Sequence, residues 1–175
     1  ITIGIPYRSS RGDDIKNCTL GISVLYQIKK KYPHVKLVAF GFKKPSEWDE
    51  QIIFVENPSR EVLVKLYAHI NIFYVPSIYE GWGLPAMEAM AQKCCVIAGD
   101  SGVIKEIGRD KINCIILEDP RNKNEAINKL SELVCNPNLV SEIGEAARTS
   151  VSNMSTTKSA KRFEEILMSL LKEYK

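Results

Sequence analysis

The sequence predicts an α/β fold in which a doubly wound parallel sheet of about six strands is covered by helices on both faces. Short apolar runs alternate along the chain with longer helical segments. The apolar runs are continuous, which is typical of strands buried on both faces of a parallel sheet. Regular alternation of such strands with helices is typical of doubly wound folds. The chain has 175 residues, a length that suits one domain of this kind.

Six segments have the length and apolar character of buried strands. The predicted strands cover residues 1–7, 35–40, 51–55, 71–75, 95–98 and 114–117. The predicted helices cover residues 17–31, 59–69, 85–93, 104–108, 124–135, 139–151 and 156–174. Local signals mark several helix ends: Pro33 ends the first helix, Ser59 suits an N-cap, and Pro85 suits a first helical turn.

Composition and charge narrow the class of protein. Hydrophobic residues make up 45% of the chain and charged residues 26%, as in ordinary globular domains. The 24 Lys and Arg residues nearly balance 21 Asp and Glu residues, so the net charge of +3 does not indicate a nucleic-acid or anionic-membrane partner. No apolar run approaches the roughly 20 residues that span a bilayer, and no signal peptide is visible.

The cysteine pattern indicates a reducing compartment. The chain has five cysteines and two histidines, no CxxC motif, and an adjacent pair at Cys94 and Cys95. We therefore expect neither a disulfide framework nor a zinc site, and we expect a cytoplasmic location. The chain opens without Met, directly on an apolar strand-like run. This abrupt opening leads to the expectation that an N-terminal partner domain is absent from the chain.

The predicted topology brings three unusual loops together. In strand order 3-2-1-4-5-6 the switch point lies between strands one and four, and ligands bind at the carboxyl ends of the strands there. The loop after strand one carries Arg8, Arg11 and Lys16. The loops after strands four and five span residues 79–83 and 100–102. The sequence therefore predicts one crevice that combines basic groups, a glycine-rich turn and a helix N-terminus.

This combination suits a nucleotide diphosphate. Gly81 and Gly83 permit close backbone approach, and the N–H groups of the following helix would face an anion that Arg8 and Lys16 neutralise. A carboxylate at Glu88 can accept two hydrogen bonds from vicinal hydroxyls such as those of a ribose. Glu80 would contact a sugar hydroxyl near the anomeric carbon.

Each of these residues also has an ordinary structural explanation. The glycine-flanked turn is compatible with a plain tight turn, Glu88 with a solvated helix position, Arg8 and Arg11 with surface charges, and Trp82 with a core aromatic side chain. Neither the GxGxxG nor the GxxxxGK[ST] phosphate-binding motif is present. Taken alone, the residues predict a nucleotide-phosphate crevice and no specific reaction.

Residues 75–91, VPSIYEGWGLPAMEAMA, closely resemble the signature of retaining GT-B glycosyltransferases of the glycosyl transferases group 1 family. The family pattern is PS-x-x-E-G-F-G-L-P-x-x-E-A-M-A, and Glu80 and Glu88 match its two glutamates, which are separated by seven residues. The resemblance extends over essentially the whole chain. It implies a Rossmann-like GT-B C-terminal domain, with residues 1–175 forming the nucleotide-sugar donor-binding domain.

The resemblance also implies a role for each matching residue. Glu88 would hold the ribose hydroxyls, and Glu80 would contact the donor sugar. The backbone amides that would line the sugar and the distal phosphate belong to Gly81, Trp82, Gly83 and Leu84. The family usually places an Arg after strand one and a Lys before the first helix, both on the diphosphate.

Arg8 fits the first of these cations and Lys16 the second. The intervening loop is longer than usual, so Arg11 remains an alternative to Lys16. Trp82 replaces the commoner Phe, and Val103 replaces a frequent Gly. We expect no metal and no cofactor, and we interpret Asp13-Asp14 as a solvated loop.

The implied reaction is retaining transfer of a hexosyl group from a nucleoside-diphosphate sugar to an acceptor hydroxyl, in polysaccharide or glycan biosynthesis. Acceptor contacts would come from the missing N-terminal domain, so we expect the isolated domain to bind nucleotide weakly and to be inactive alone. We expect no nucleic-acid partner, and the full-length enzyme is compatible with peripheral membrane association. Two alternatives remain: a non-catalytic nucleotide-sugar-binding module and a GT-B-like sugar-nucleotide epimerase, although epimerases do not typically carry the spacing of Glu80 and Glu88.

The last predicted helix carries a continuous apolar stripe. The stripe consists of Phe163, Ile166, Leu167, Leu170, Leu171 and Tyr174. Two interpretations remain open. The stripe packs either across to the other domain, as is frequent in the family, or on its own domain.

Overall fold

A computed structural model describes residues 1–8, 15–46 and 48–173, and it contains one six-stranded parallel sheet. The strands are β1 (Thr2–Tyr7), β2 (Lys36–Gly41), β3 (Ile52–Glu56), β4 (Ile72–Val75), β5 (Cys95–Gly99) and β6 (Ile115–Leu117). The helices are α1 (Cys18–Lys31), α2 (Arg60–Ala68), α3 (Leu84–Ala91), α4 (Val103–Ile107), α5 (Lys123–Cys135), α6 (Pro137–Val151) and α7 (Thr156–Glu173). The sheet order β3-β2-β1-β4-β5-β6 confirms the predicted α/β class and places the switch point between β1 and β4.

Two hydrophobic cores lie on opposite faces of the sheet. On one face, Ile5 of β1 and Tyr74 of β4 pack with Leu25 of α1 and with α5. On the other face, Phe73 of β4 packs with Met90 of α3 and with α2, α4 and the end of α6. Adjacent residues of β4 thus face opposite cores, because successive side chains of a strand alternate between its faces. Both faces are apolar, which explains why the strands are continuous apolar runs.

The helix and strand boundaries follow local chemistry. Ser59 caps α2, since its side chain accepts a hydrogen bond from the N–H of Val62 at 3.3 Å. The helix predicted over residues 139–151 begins earlier, at Pro137. Pro137 occupies the first turn, and the side chain of Asn136 accepts from the N–H of Leu139 at 3.3 Å. The strand predicted over 114–117 is one residue shorter, because Cys114 forms only an isolated bridge with Asp110.

Helix α7 carries its apolar stripe facing solvent. The exposed fraction of these side chains ranges from 44% for Ile166 to 64% for Phe163, and no residue of α7 whose side chain is described is buried. The interpretation in which the stripe packs on its own domain is therefore wrong for this structure, while Tyr174 lies outside the described residues. Over the described part of the chain, no helix is long and apolar enough to cross a membrane.

Candidate functional site

The carboxyl ends of the central strands surround a cavity of about 310 Å³. Its lining comes from the end of β1, the start of α1, the end of β2, the loop after β4 and the start of α3. Arg8, Lys16, Glu80 and Gly83 are all part of this lining. The structure thus brings Arg8 and Lys16 together with the loop glutamate and the helix N-terminus that the sequence places at the switch point.

A larger depression of about 520 Å³ lies at the opposite edge of the sheet. It is bordered by Lys29, Lys36 and Asp49, near the amino ends of β2 and β3. It is an open surface feature, and ligands of doubly wound sheets bind at the carboxyl ends of the strands. We therefore place the candidate site in the smaller cavity.

Lys16 and Glu80 form an ion pair across this cavity. The Nζ of Lys16 lies 2.7 Å from Oε1 of Glu80, and both side chains are partly buried, with 32% and 16% of their surface exposed. The backbone joins the same two loops, since the N–H of Ile78 donates to the carbonyl of Ile15 at 2.8 Å. The segment before α1 and the loop after β4 are therefore joined by an ion pair between two predicted functional residues and by a backbone hydrogen bond.

Asn17 is a site residue that sequence reasoning missed. It precedes α1 in the left-handed conformation, with φ of 51°, which Asn adopts more readily than most residues. Its side-chain amide donates to the carbonyls of Pro76, at 3.2 Å, and Pro120, at 2.8 Å. Asn17 thereby ties the residue after Lys16 to the loops that follow β4 and β6. The sequence signal is an Asn at the first position of the helix predicted over residues 17–31, which in the structure begins one residue later, at Cys18.

The loop after β5 supports the glycine-rich loop after β4. The backbone N–H of Glu80 donates to Oγ of Ser101 at 3.2 Å, and the N–H of Val103 donates to the carbonyl of Trp82 at 2.6 Å. Gly102 has φ of 56°, and a Cβ at this position would lie 2.5 Å from the carbonyl oxygen of Trp82. A glycine is required at position 102 because both the backbone conformation and the contact exclude a side chain.

The start of α3 has no side-chain cap within the described residues and follows a largely exposed loop. Gly83 precedes the helix with φ of 82°, and no side chain caps it within the described part of the chain. A Cβ on Gly81 would meet no atom within 4 Å, so packing within the described residues does not require glycine there. Trp82, Leu84 and Tyr79 are all exposed, at 43%, 56% and 65%. The interpretation of Trp82 as a core aromatic is therefore wrong, and this loop exposes Gly81 beside apolar side chains.

Glu88 lies apart from the other predicted residues. It does not line the main cavity but a neighbouring cleft of about 110 Å³ between α2 and α3. There its Oε2 accepts a hydrogen bond from the hydroxyl of Tyr67 at 3.2 Å. Burial, followed by the charge of Glu88, raises the pKa of Tyr67 far above its ordinary value, so this hydroxyl stays protonated and donating. The predicted site is therefore divided between a cavity and an adjacent cleft, with the start of α3 between them.

The remaining predictions at the site concern its cations and any metal. Arg8 lines the cavity and is exposed, and its backbone N–H donates to Sγ of Cys18 at 3.4 Å. Arg11 and Asp13-Asp14 lie outside the described residues. Within residues 1–8, 15–46 and 48–173, no group of three or more His, Cys, Asp or Glu side chains is placed to hold a metal ion. Metal independence stays a prediction. The five cysteines all lie in these ranges, and none of them forms a disulfide.

Both a family model and a curated relative relate the chain to glycosyltransferases. A model of the family described as glycosyl transferases group 1 matches residues 8–150. A curated relative, the MMP alpha-(1->4)-mannosyltransferase of Mycolicibacterium hassiacum, is 32% identical over 90 residues, which are 51% of this chain and 22% of that enzyme. The chain thus matches less than a third of the length of this relative.

Solved structures show the same fold. The C-terminal domain of the glycosyl transferase group 1 family protein LpcC from Francisella tularensis has a TM-score of 0.74 and 28% identity, covering 86% of this chain and 84% of that domain. Anabaena HepE, solved in complex with UDP-glucose, has a TM-score of 0.76 and 18% identity. That match covers 96% of this chain and 48% of HepE.

Proposed function

Because the chain belongs to the glycosyl transferases group 1 family, we propose that it binds a nucleoside-diphosphate sugar for retaining transfer of the sugar to an acceptor hydroxyl. The observation that carries this proposal is the meeting of Lys16, Glu80 and the uncapped start of α3 at one switch-point cavity. Cations, helix N–H groups and a carboxylate are the groups that a diphosphate and a sugar require.

The proposed donor extends from the switch-point cavity into the neighbouring cleft between α2 and α3. The diphosphate contacts Arg8, Lys16 and the backbone at the start of α3. The donor sugar contacts Glu80 and the backbone of residues 81–84. The ribose reaches the cleft and is held by Glu88, whose carboxylate accepts hydrogen bonds from the ribose hydroxyls. The proposed phosphate site at Gly83 and the proposed ribose site at Glu88 lie about one helical turn apart on α3. One nucleotide can therefore reach both, because its phosphate and its ribose are adjacent groups.

The chemical step is assisted by charge. As the bond between the anomeric carbon and the diphosphate oxygen breaks, its electron pair passes to the diphosphate. Arg8, Lys16 and the N-terminus of α3 stabilise that developing negative charge in a partly closed cavity. These groups supply positive charge without requiring a metal. Glu80 is already placed beside Lys16 and contacts the sugar that becomes positively charged.

The acceptor side is assigned to a second domain. The chain matches 48% of HepE and 22% of the mannosyltransferase, so both of these proteins are much longer than the matched part. We therefore propose that the complete enzyme carries out transfer and that its second domain contacts the acceptor. We place the stripe of α7 against the second domain, since the stripe is exposed in this chain. We further propose a hexosyl donor, a role in polysaccharide or glycan synthesis, and a cytoplasmic location.

The test is calorimetric titration of the chain with UDP, GDP, ADP and dTDP. We expect one of these to bind, and absence of binding to all four at millimolar concentration would contradict the donor site. Replacing Glu88 by Ala is expected to weaken binding of the preferred nucleotide; unchanged affinity would refute the ribose assignment. Transfer is tested with the product of the complete gene and the matching nucleotide sugars, including a mannosyl donor. Binding without transfer would support a non-catalytic module instead.

A further inference from the structure

We propose that Tyr67 is a positioning residue that orients the carboxylate of Glu88 toward the ribose of the donor. This inference rests on the proposed ribose-binding role of Glu88. The geometry that supports it is a single hydrogen bond between two helices: the hydroxyl of Tyr67, on α2, donates to Oε2 of Glu88, on α3, at 3.2 Å.

The hydrogen bond occupies one carboxylate oxygen and leaves the other for a ligand. Among the described residues, Oε1 of Glu88 has no hydrogen-bond or ion-pair partner. Tyr67 and Glu88 both line the small cleft between α2 and α3, together with Arg60 and Gln92. A half-buried carboxylate that is held by one oxygen presents the second in a defined direction.

The tyrosine itself is held rigidly. It is 2% exposed, and its ring makes edge contacts with Phe40, at 5.6 Å, and Phe73, at 5.2 Å, between ring centroids. Its backbone carbonyl accepts a hydrogen bond from Sγ of Cys94 at 3.3 Å. Because the ring is packed in the core, the position of its hydroxyl is fixed as well, and it can direct the less buried glutamate.

The hydrogen bond from Tyr67 is expected to reduce the conformational entropy that Glu88 loses when a ligand binds. A glutamate side chain on a helix surface loses rotamer freedom when it binds a ligand, and pre-ordering it reduces that loss. Removing the Tyr67 hydroxyl lets the carboxylate sample other rotamers and leaves the ring packing intact. Given the free energy that a typical intramolecular hydrogen bond contributes, we expect removal of this hydroxyl to weaken ribose-dependent binding roughly threefold to tenfold.

The experiment compares ribose and 2′-deoxyribose nucleotides by calorimetry, using the UDP and dUDP pair and the GDP and dGDP pair. The variant is Tyr67→Phe and the matched control is Tyr74→Phe. Tyr74 is also a fully buried tyrosine, and its hydroxyl lies on the other face of the sheet without a hydrogen-bond partner among the described residues. We expect Tyr67→Phe to weaken binding of the ribonucleotide more than that of the deoxynucleotide, which keeps only the 3′-hydroxyl, while Tyr74→Phe changes neither.

The outcomes separate this inference from the proposed function. If the wild type and Glu88→Ala show the same ratio of ribose to deoxyribose affinity, the ribose role of Glu88 fails. If Glu88→Ala loses the ribose preference and Tyr67→Phe keeps it, only the positioning role of Tyr67 is overturned. Equal weakening of both nucleotides by Tyr67→Phe would show a purely structural role and would also overturn it. In the Glu88→Ala background, Tyr67→Phe should have no further effect on ribose preference.

A second variant keeps the test decisive if Tyr67→Phe does not fold. Incorporation of 3-fluorotyrosine at position 67 retains the ring and the hydroxyl and changes the strength of the donor. We expect the ratio of ribonucleotide to deoxynucleotide affinity to change. An unchanged ratio in a folded protein would overturn the positioning role.

Discussion

The Nζ of Lys16 lies 2.7 Å from Oε1 of Glu80, and this pair joins two loops that are 64 residues apart in sequence. In the proposed complex, a bound diphosphate and Glu80 would therefore compete for the same ammonium group. The partner that neutralises Lys16 in the unliganded protein is the residue proposed to contact the donor sugar. Binding of the diphosphate would release Glu80 toward that sugar.

Replacing Glu80 by Gln should raise the affinity for a nucleoside diphosphate by roughly threefold to fivefold, because Lys16 no longer has a charged competitor and the cavity loses a negative charge. Calorimetric titration with the nucleotide selected from the four diphosphates measures this. Glu145→Gln is the control, since Glu145 forms a comparable pair with Lys93 at 2.6 Å on the exposed surface. Weaker binding by Glu80→Gln would argue against the competition.

Replacing Gly102 by Ala should destabilise the fold by about 2 kcal/mol or more, because the new Cβ meets the carbonyl of Trp82 and the positive φ is strained for any side chain. Gly81→Ala is the matched control in the adjoining loop, where a Cβ has open space. Chemical denaturation measures both. Similar free energies of unfolding for the two variants would refute the packing of these loops.

Replacing Glu125 by Gln should lower stability at neutral pH and have little effect in acid. Burial would raise the pKa of Glu125, but hydrogen bonds from Lys129 and from the backbone of Glu118 and Asp119 outweigh it and lower the pKa. A carboxyl with a lowered pKa in the folded state contributes stability above its ordinary pKa of 4.5 and loses that contribution as the pH falls through the folded value.

We expect a difference of about 1–2 kcal/mol at pH 7 between the wild type and Glu125→Gln, shrinking below pH 4.5. Denaturant titrations between pH 3 and pH 7 measure it. Glu132→Gln, on the exposed surface of the same helix, serves as the control. A pH-independent difference would show that packing, and not the charge, is the cause.

Deleting residues 156–175 should shift the midpoint of thermal unfolding by no more than about 3 °C, because no described side chain of α7 is buried. Deleting residues 136–175 should prevent stable folding, since α6 contributes Ile143 and Ala147 to the cores. Differential scanning calorimetry compares the two. A large loss of stability on removal of α7 alone would mean that the helix packs on this domain after all.

The fold is predictable from the sequence because its determinants are local. Strands such as Ile72–Val75 are apolar on both faces, and that pattern is characteristic of a central parallel strand. Helix ends such as Ser59 and Pro85 carry their own chemical signals. Once strand order is assumed, the convergence of Lys16 and Glu80 follows from topology alone.

Some features of the site cannot be predicted from the sequence, because they depend on loop paths and helix packing that the strand order does not determine. The ion pair of Lys16 requires a particular loop path, which the bridge from Asn17 to Pro76 and Pro120 helps to define. The separation of Glu88 into its own cleft depends on how α2 packs against α3, a tertiary contact that the sequence pattern does not encode. The exposure of Trp82 depends on tertiary packing in the same way.

The most direct test of the account is the affinity of wild type and Lys16→Met for a nucleoside diphosphate and its monophosphate, measured by calorimetry with the best-binding nucleotide. The methionine keeps roughly the length of the side chain and removes its charge. We predict that the wild type prefers the diphosphate, and that Lys16→Met loses roughly 10-fold to 100-fold in diphosphate affinity with little change for the monophosphate. Equal diphosphate affinities of the two proteins would contradict a diphosphate cradle at this cavity.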